Sequence, residues 1–127
     1  MAAPERERAI VMNVRWSAVL TGFLADYLIT LLLVPFAPES LFTAPDLTRT
    51  GDLVMICLMT LSTGIGGYVA GRIARASRPL NGLLVAVVGI LIGQLGGPIP
   101  RLFVIASAFS CLLAALGGYL SRYPAQR

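Results

Sequence analysis

Four long apolar runs, each with arginine gathered at only one of its ends, leave this chain few ways to fold. A run of about 20 apolar residues crosses the ~30 Å hydrocarbon core of a bilayer only as a helix, because every backbone N–H and C=O must then be paired within the segment. The runs predict spans over 16–35, 53–73, 80–97 and 102–120, packed as an all-α four-helix transmembrane bundle. Composition agrees with this class. Of 127 residues, 57% are hydrophobic and 13% charged, whereas an ordinary soluble domain carries about 25% charged residues. The spans use most of the length, leaving a segment 1–15, a tail 121–127 and no stretch sufficient for a separate catalytic domain.

The breaks between runs carry turn chemistry. Pro35 ends the first span, and residues 36–52 hold Pro38, Pro45, Glu39, Asp46 and Asp52, which predicts an aqueous loop. Arg72, Arg75, Arg78 and Pro79 make a tight basic turn, and Pro98, Pro100 and Arg101 a short hairpin turn. A cleaved signal peptide is not expected: Glu5 and Glu7 interrupt the charged start, the apolar run is long, and no small-x-small site follows it.

Arginine supplies all the basic side chains and sets the expected orientation. Eight arginines, including Arg72, Arg75 and Arg78, fall at one end of the spans, and only Arg49 and Arg101 at the other. Positive charge stays on the cytoplasmic side, so both termini are expected in the cytoplasm and the acidic loop outside. With pI ≈ 9.7 a soluble chain would suggest nucleic acid. Here the arginines read as topology signals and headgroup contacts, and no nucleic-acid partner is expected; the bilayer is the first partner.

Catalytic and metal chemistry find little to work with. There is no histidine, no paired-carboxylate motif, no nucleophile with a base and no cluster of metal ligands. No catalytic residue, metal or cofactor is therefore expected. Gly64-x-Gly66-Gly67 falls inside a span, where a phosphate loop makes no sense. Cys57 and Cys111 would differ in depth by roughly 9 Å, too far for a disulfide.

Small residues recur at four-residue spacing. They include Gly67 and Gly71 in span two, Gly89, Gly93 and Gly97 in span three, and Ala114 and Gly118 in span four. Such stripes let helix backbones approach closely and gain dispersion contacts that lipid cannot match. They predict packing within the bundle or, most readily for Gly89, Gly93 and Gly97, packing against a second copy or a partner membrane subunit. Gly66-Gly67-Tyr68 near the end of span two and Gly117-Gly118-Tyr119 near the end of span four suggest two repeated helical hairpins.

Asp26 stands near the middle of span one. An aspartate there opposes insertion by about 2.5–3.5 kcal/mol, and the ten Leu, Ile, Val and Phe residues between Val19 and Val34 return about 3–6 kcal/mol. The helix therefore inserts despite its acid. Thr30 lies one turn on, and Thr60, Ser62, Thr63, Ser107 and Ser110 are expected at similar depth. Three readings follow for an intramembrane polar site of Asp26, Thr30, Ser62 and Ser110. It is a proton or cation site, a protonated acid tying helices together through hydroxyls, or the partner of a base on another subunit. Gln94 is expected to bridge helices by a hydrogen bond.

The segment Gly66-Gly67-Tyr68-Val69-Ala70-Gly71-Arg72, followed by Asn81-Gly82-Leu83-Leu84, resembles the small, uncharacterised four-span membrane proteins found widely in bacteria. The likeness covers spans two to four and implies a fold but no substrate; Asp26 lies outside it. The expected function is that of a non-enzymatic structural or accessory subunit packing through small-residue faces. The alternative is a small transporter or channel built around Asp26.

Overall fold

The structure, a computed structural model, describes residues 14–97 and 101–123. The first thirteen residues, the Pro98–Pro100 turn and the last four residues of the tail lie outside that description, and with them Arg6, Arg8 and Arg127. Helix α1 (Trp16–Leu33) runs into a 3-10 turn, Val34–Phe36, at Pro35, which lacks a backbone donor. A one-turn helix α2 (Ser40–Thr43) interrupts the loop, and α3 (Thr50–Ala74), α4 (Arg78–Gln94) and α5 (Arg101–Leu120) follow. The described residues are all-helical, with no strand. α1 with its 3-10 turn, α3 and α5 are each long and apolar enough to cross a membrane, while α4 is apolar but has 17 residues.

α3 and α4 each pack against the other three long helices, with α1 and α5 flanking that pair. The tightest packing lies toward the arginine-bearing end and is made by backbone against backbone. A side chain at Gly67 would strike the Cα and carbonyl of Ala114, and one at Gly117 would strike the carbonyl of Gly64. Gly71 abuts Gly118 and the Ser121 hydroxyl, and Gly82 abuts Ala114 and Gly118. On the other side of α3, Gly22 and Gly66 each approach the other's carbonyl. The two glycine-tyrosine repeats thus face each other across a parallel α3–α5 crossing. Each motif's glycine meets the other helix about one turn before that helix's own motif.

Asn81 closes the basic end. It is fully buried; its Nδ2 donates to the Ala76 and Ser77 carbonyls at 3.1 and 3.0 Å, and its Oδ1 accepts from the Arg15 N–H at 2.9 Å. The Arg15 guanidinium donates to the Ile73 carbonyl at 3.2 Å, where α3 has run out of its own donors. Between them the chain turns through two left-handed residues, Arg75 (φ 60°) and Ser77 (φ 45°). One amide side chain thereby ties the start of α1 to the α3–α4 turn. The Arg122 guanidinium lies 3.7 Å from the Tyr119 ring centroid at the same end.

The opposite end departs from the expected aqueous loop. Asp52 is 1% exposed and sits in the first turn of α3, where the helix dipole favours an acid. Its carboxylate accepts from Ser40 Oγ at 2.6 Å and from the Asp46 N–H at 3.1 Å. Leu41, fully buried, packs with Met55 and Ile56 of α3 and against Leu102 and Phe103 of α5. The loop is therefore folded onto the bundle by one apolar plug and one buried acid. Within it the Thr48 N–H donates to Asp46 Oδ1 at 2.9 Å and holds that carboxyl below the usual carboxylate range.

Gly89, Gly93 and Gly97 make no close interhelical approach within this chain. A side chain at Gly93 or Gly97 would meet nothing within 4 Å, and one at Gly89 would reach only the Phe23 ring edge at 3.8 Å. Gln94 is exposed at the loop end of α4, and its side chain bonds no other helix among the described residues, because this half of α4 stands away from its neighbours. Gly67→Leu is accordingly expected to lower unfolding stability in detergent by about 1–3 kcal/mol, whereas Gly93→Leu leaves stability near wild type. Thermal unfolding of the two variants side by side checks the contrast; equal losses would place the tight packing elsewhere.

Candidate functional site: a carboxyl at an interhelical cavity

The glycine contacts of α1 with α3 bring Asp26 to the α3 surface. Gly22, one turn earlier, lets α1 lie against Gly66, so that Asp26 reaches Ser62, one turn before Gly66 on the antiparallel α3. Asp26 is 9% exposed. Its Oδ1 accepts from Ser62 Oγ at 2.6 Å and from Thr30 Oγ1 at a long 3.5 Å, and the two hydroxyls lie 3.1 Å apart. The trio Asp26, Thr30 and Ser62 expected from the sequence is thus assembled. Ser110 is not bonded to it. It stands on α5 across a cavity that Asp26 also lines.

The Ser62 hydroxyl has a further partner, the Met59 carbonyl, at 2.7 Å. One hydroxyl proton cannot serve both acceptors at once. With Asp26 ionised, Ser62 donates to the carboxylate. With Asp26 protonated on Oδ1, the acid donates to Ser62, and Ser62 donates to Met59. Both protonation states are hydrogen-bonded without moving a backbone atom.

The cavity measures about 490 Å³ and is lined by residues from all four long helices. Phe23, Asp26, Tyr27 and Thr30 come from α1, Met59, Thr60 and Thr63 from α3, Ala86, Gly89, Ile90 and Gly93 from α4 with Gly96 and Gly97 just past its end, and Phe103, Ser107 and Ser110 from α5. It extends from the level of Asp26 to Gly96 and Gly97 at the loop end of α4. Its room comes from the glycines of α4, which leave α4 without side chains where it parts from α1 and α5. Among the described residues Asp26 is the one charged side chain in the lining. Among the described residues no three His, Cys, Asp or Glu side chains come together as metal ligands.

Three residues beside Asp26 escaped sequence reasoning. Gly22 sets the reach of the acid to Ser62 through its contact with Gly66. Phe23 and Tyr27 stack their rings 6.1 Å apart at 29°. Both flank Asp26 in sequence and line the cavity. Arg72, Arg75 and Arg78 lie at the far, basic end of the bundle and take no part in the site.

No family model matches the chain, and neither a curated protein nor a solved structure matches it.

Because an amide both donates and accepts, Asp26→Asn is expected to preserve stability. Ser62→Ala leaves the buried Asp26 oxygen short of its 2.6 Å donor and is expected to cost about 1–2 kcal/mol. Unfolding of both variants in detergent measures the difference; a silent Ser62→Ala would mean that water or Thr30 replaces the bond fully.

Proposed function

We propose that this protein is a four-span integral membrane protein, non-enzymatic, in which Asp26 is the proton or cation site of a small transporter. The observation that carries the reading is the position of the Asp26 carboxyl. It lies on the wall of a cavity lined by all four long helices and is hydrogen-bonded in either protonation state. An intramembrane acid held away from lipid and open to a cavity is the arrangement that ion pathways use. The four-span count rests on α4 being apolar and about 25 Å long, with Leu95–Gly97 continuing it at the loop end. The arginine distribution supports an orientation with both termini in the cytoplasm. Arg15, Arg72, Arg75, Arg78 and Arg122 gather at one end of the bundle, and Arg49 and Arg101 at the other. The inner membrane of a bacterium is the proposed location, in keeping with the likeness to small four-span families.

A structural or accessory role, as a homo-oligomer or beside a partner membrane subunit, is the second reading. One observation favours it: α1 buries only Ala18, Val19, Gly22 and Asp26, leaving a leucine-rich outer face. Against it, the stripes of Gly67 and Gly71 and of Ala114 and Gly118 are already engaged inside the chain.

Two experiments test the proposal. Reporter fusions at Asp46 and at the C-terminus should be active outside and inside respectively; an externally active C-terminal reporter overturns the span count. In proteoliposomes carrying a pH-sensitive dye, wild-type protein should pass protons down an imposed gradient, and Asp26→Asn should abolish that flux while keeping its unfolding temperature. Equal flux from both proteins would remove Asp26 from any pathway.

A further inference from the structure

We propose that the cavity beside Asp26 takes a monovalent organic ammonium ion with an apolar body, a proposal that rests on the reading of Asp26 as a proton or cation site and names what competes with the proton there. Size comes first. A cavity of about 490 Å³ falls in the range of pockets that hold organic ligands and far exceeds a dehydrated metal ion. Charge comes second. Among the described residues Asp26 supplies the only charge in the lining, and its ionised form is negative, so a cation with one charge is matched and an anion is repelled.

The oxygen supply then separates organic from inorganic cations. A hard metal ion takes about six oxygen ligands in a close shell. Here three hydroxyls, of Thr30, Ser62 and Thr63, gather at Asp26, short of such a shell, and other lining hydroxyls bond back along their own helices. Thr60 Oγ1 donates to the Ile56 carbonyl at 2.8 Å, and Ser107 Oγ to the Phe103 carbonyl at 2.7 Å. The α4 wall, with Ala86, Gly89, Ile90 and Gly93, offers no side-chain oxygen at all. A substituted ammonium needs no such shell. Its charge is spread over alkyl groups, it sheds water readily, and its body gains from apolar walls.

Aromatic placement points the same way. Phe23 and Tyr27 stack on each other, line the cavity and flank Asp26 on α1. An aromatic wall beside a carboxylate adds apolar contact for the body of an alkylammonium ion. The bare backbone of α4 at Gly89 and Gly93 makes room for the rest of the ligand, since a side chain at Gly93 would meet nothing within 4 Å. This gives the unpacked glycines of α4 a role that helix association within the chain does not.

The test uses the full chain in lipid nanodiscs, titrated with radiolabelled benzyltrimethylammonium, with its neutral isostere neopentylbenzene and with sodium ion as competitors. Saturable binding is expected, absent from protein-free nanodiscs and not displaced by neopentylbenzene or by sodium at comparable concentration. Asp26→Asn should weaken it by at least about tenfold, the loss of one charge-assisted contact. Gly93→Leu, which fills the cavity, should weaken it by about the same factor with an unchanged unfolding temperature. This second variant keeps the test decisive if Asp26→Asn does not fold. Binding equal to that of empty nanodiscs, or undiminished in a folded Asp26→Asn or Gly93→Leu protein, overturns the proposal; so does displacement by sodium. If benzyltrimethylammonium fails while the proton flux still depends on Asp26, only the organic-cation assignment falls. If the flux is independent of Asp26 as well, the functional reading falls with it.

Discussion

The contact on which this structure depends is backbone against backbone where α3 and α5 cross, at Gly64, Gly67 and Ala114, Gly117. Lipid competes on equal terms with any apolar side chain, so helices in a bilayer gain little by burying leucine on leucine. They gain by approaching more closely than lipid can pack. Glycine permits that approach, and the chain places it on α3, α4 and α5 at one level, with the Gly22–Gly66 contact of α1 on the other face of α3. The bundle is therefore fastened near its basic end.

A pinch at one end has a consequence at the other. Helices that cross closely diverge away from the crossing, and the space must be filled or left open. Between α3 and α5 it is filled by Met55, Ile56 and Leu102, with Leu41 brought in from the loop. Beside α4 it is not, because Gly89 and Gly93 stand where bulk would be needed. Asp26 lies at the boundary between these regimes. Gly66, in the pinched half, would carry a Cβ 2.9 Å from the Asp26 Cβ, yet the same acid lines the open cavity. Cavity and buried acid arise from one packing geometry.

The long helices were legible because their signal is local: apolar run length, Pro35, and the Arg-Pro turn at 78–79. Their bounds moved by a few residues, chiefly where polar Thr50, Gly51 and Asp52 proved to be the first turn of α3. Ser62 and Thr30 were legible as hydroxyls at the depth of Asp26. The fold-back of the 36–52 loop was not, since a lone Leu41 among prolines and acids carries no periodicity. Nor does four-residue spacing say which small residues touch. Gly67 and Gly93 occupy equivalent stripes, but one faces the Ala114 backbone and the other open space. What decides between them is the divergence of the helices, a property of the whole bundle.

Ser62 joins the packing to the chemistry. It reaches Asp26 because α1 lies close at Gly22 and Gly66, and it reaches the Met59 carbonyl because a helical serine can bond back along its own turn. Its position is set by contacts that do not depend on the charge of Asp26. The carboxyl can therefore change its protonation while the hydroxyl beside it changes only the direction of its proton. A buried acid ordinarily demands rearrangement when it ionises, because bonds suited to the neutral form fail the charged one. Here the Asp26–Ser62–Met59 chain is satisfied in either state by turning the Ser62 hydroxyl, with the backbone contact of Gly22 and Gly66 unchanged.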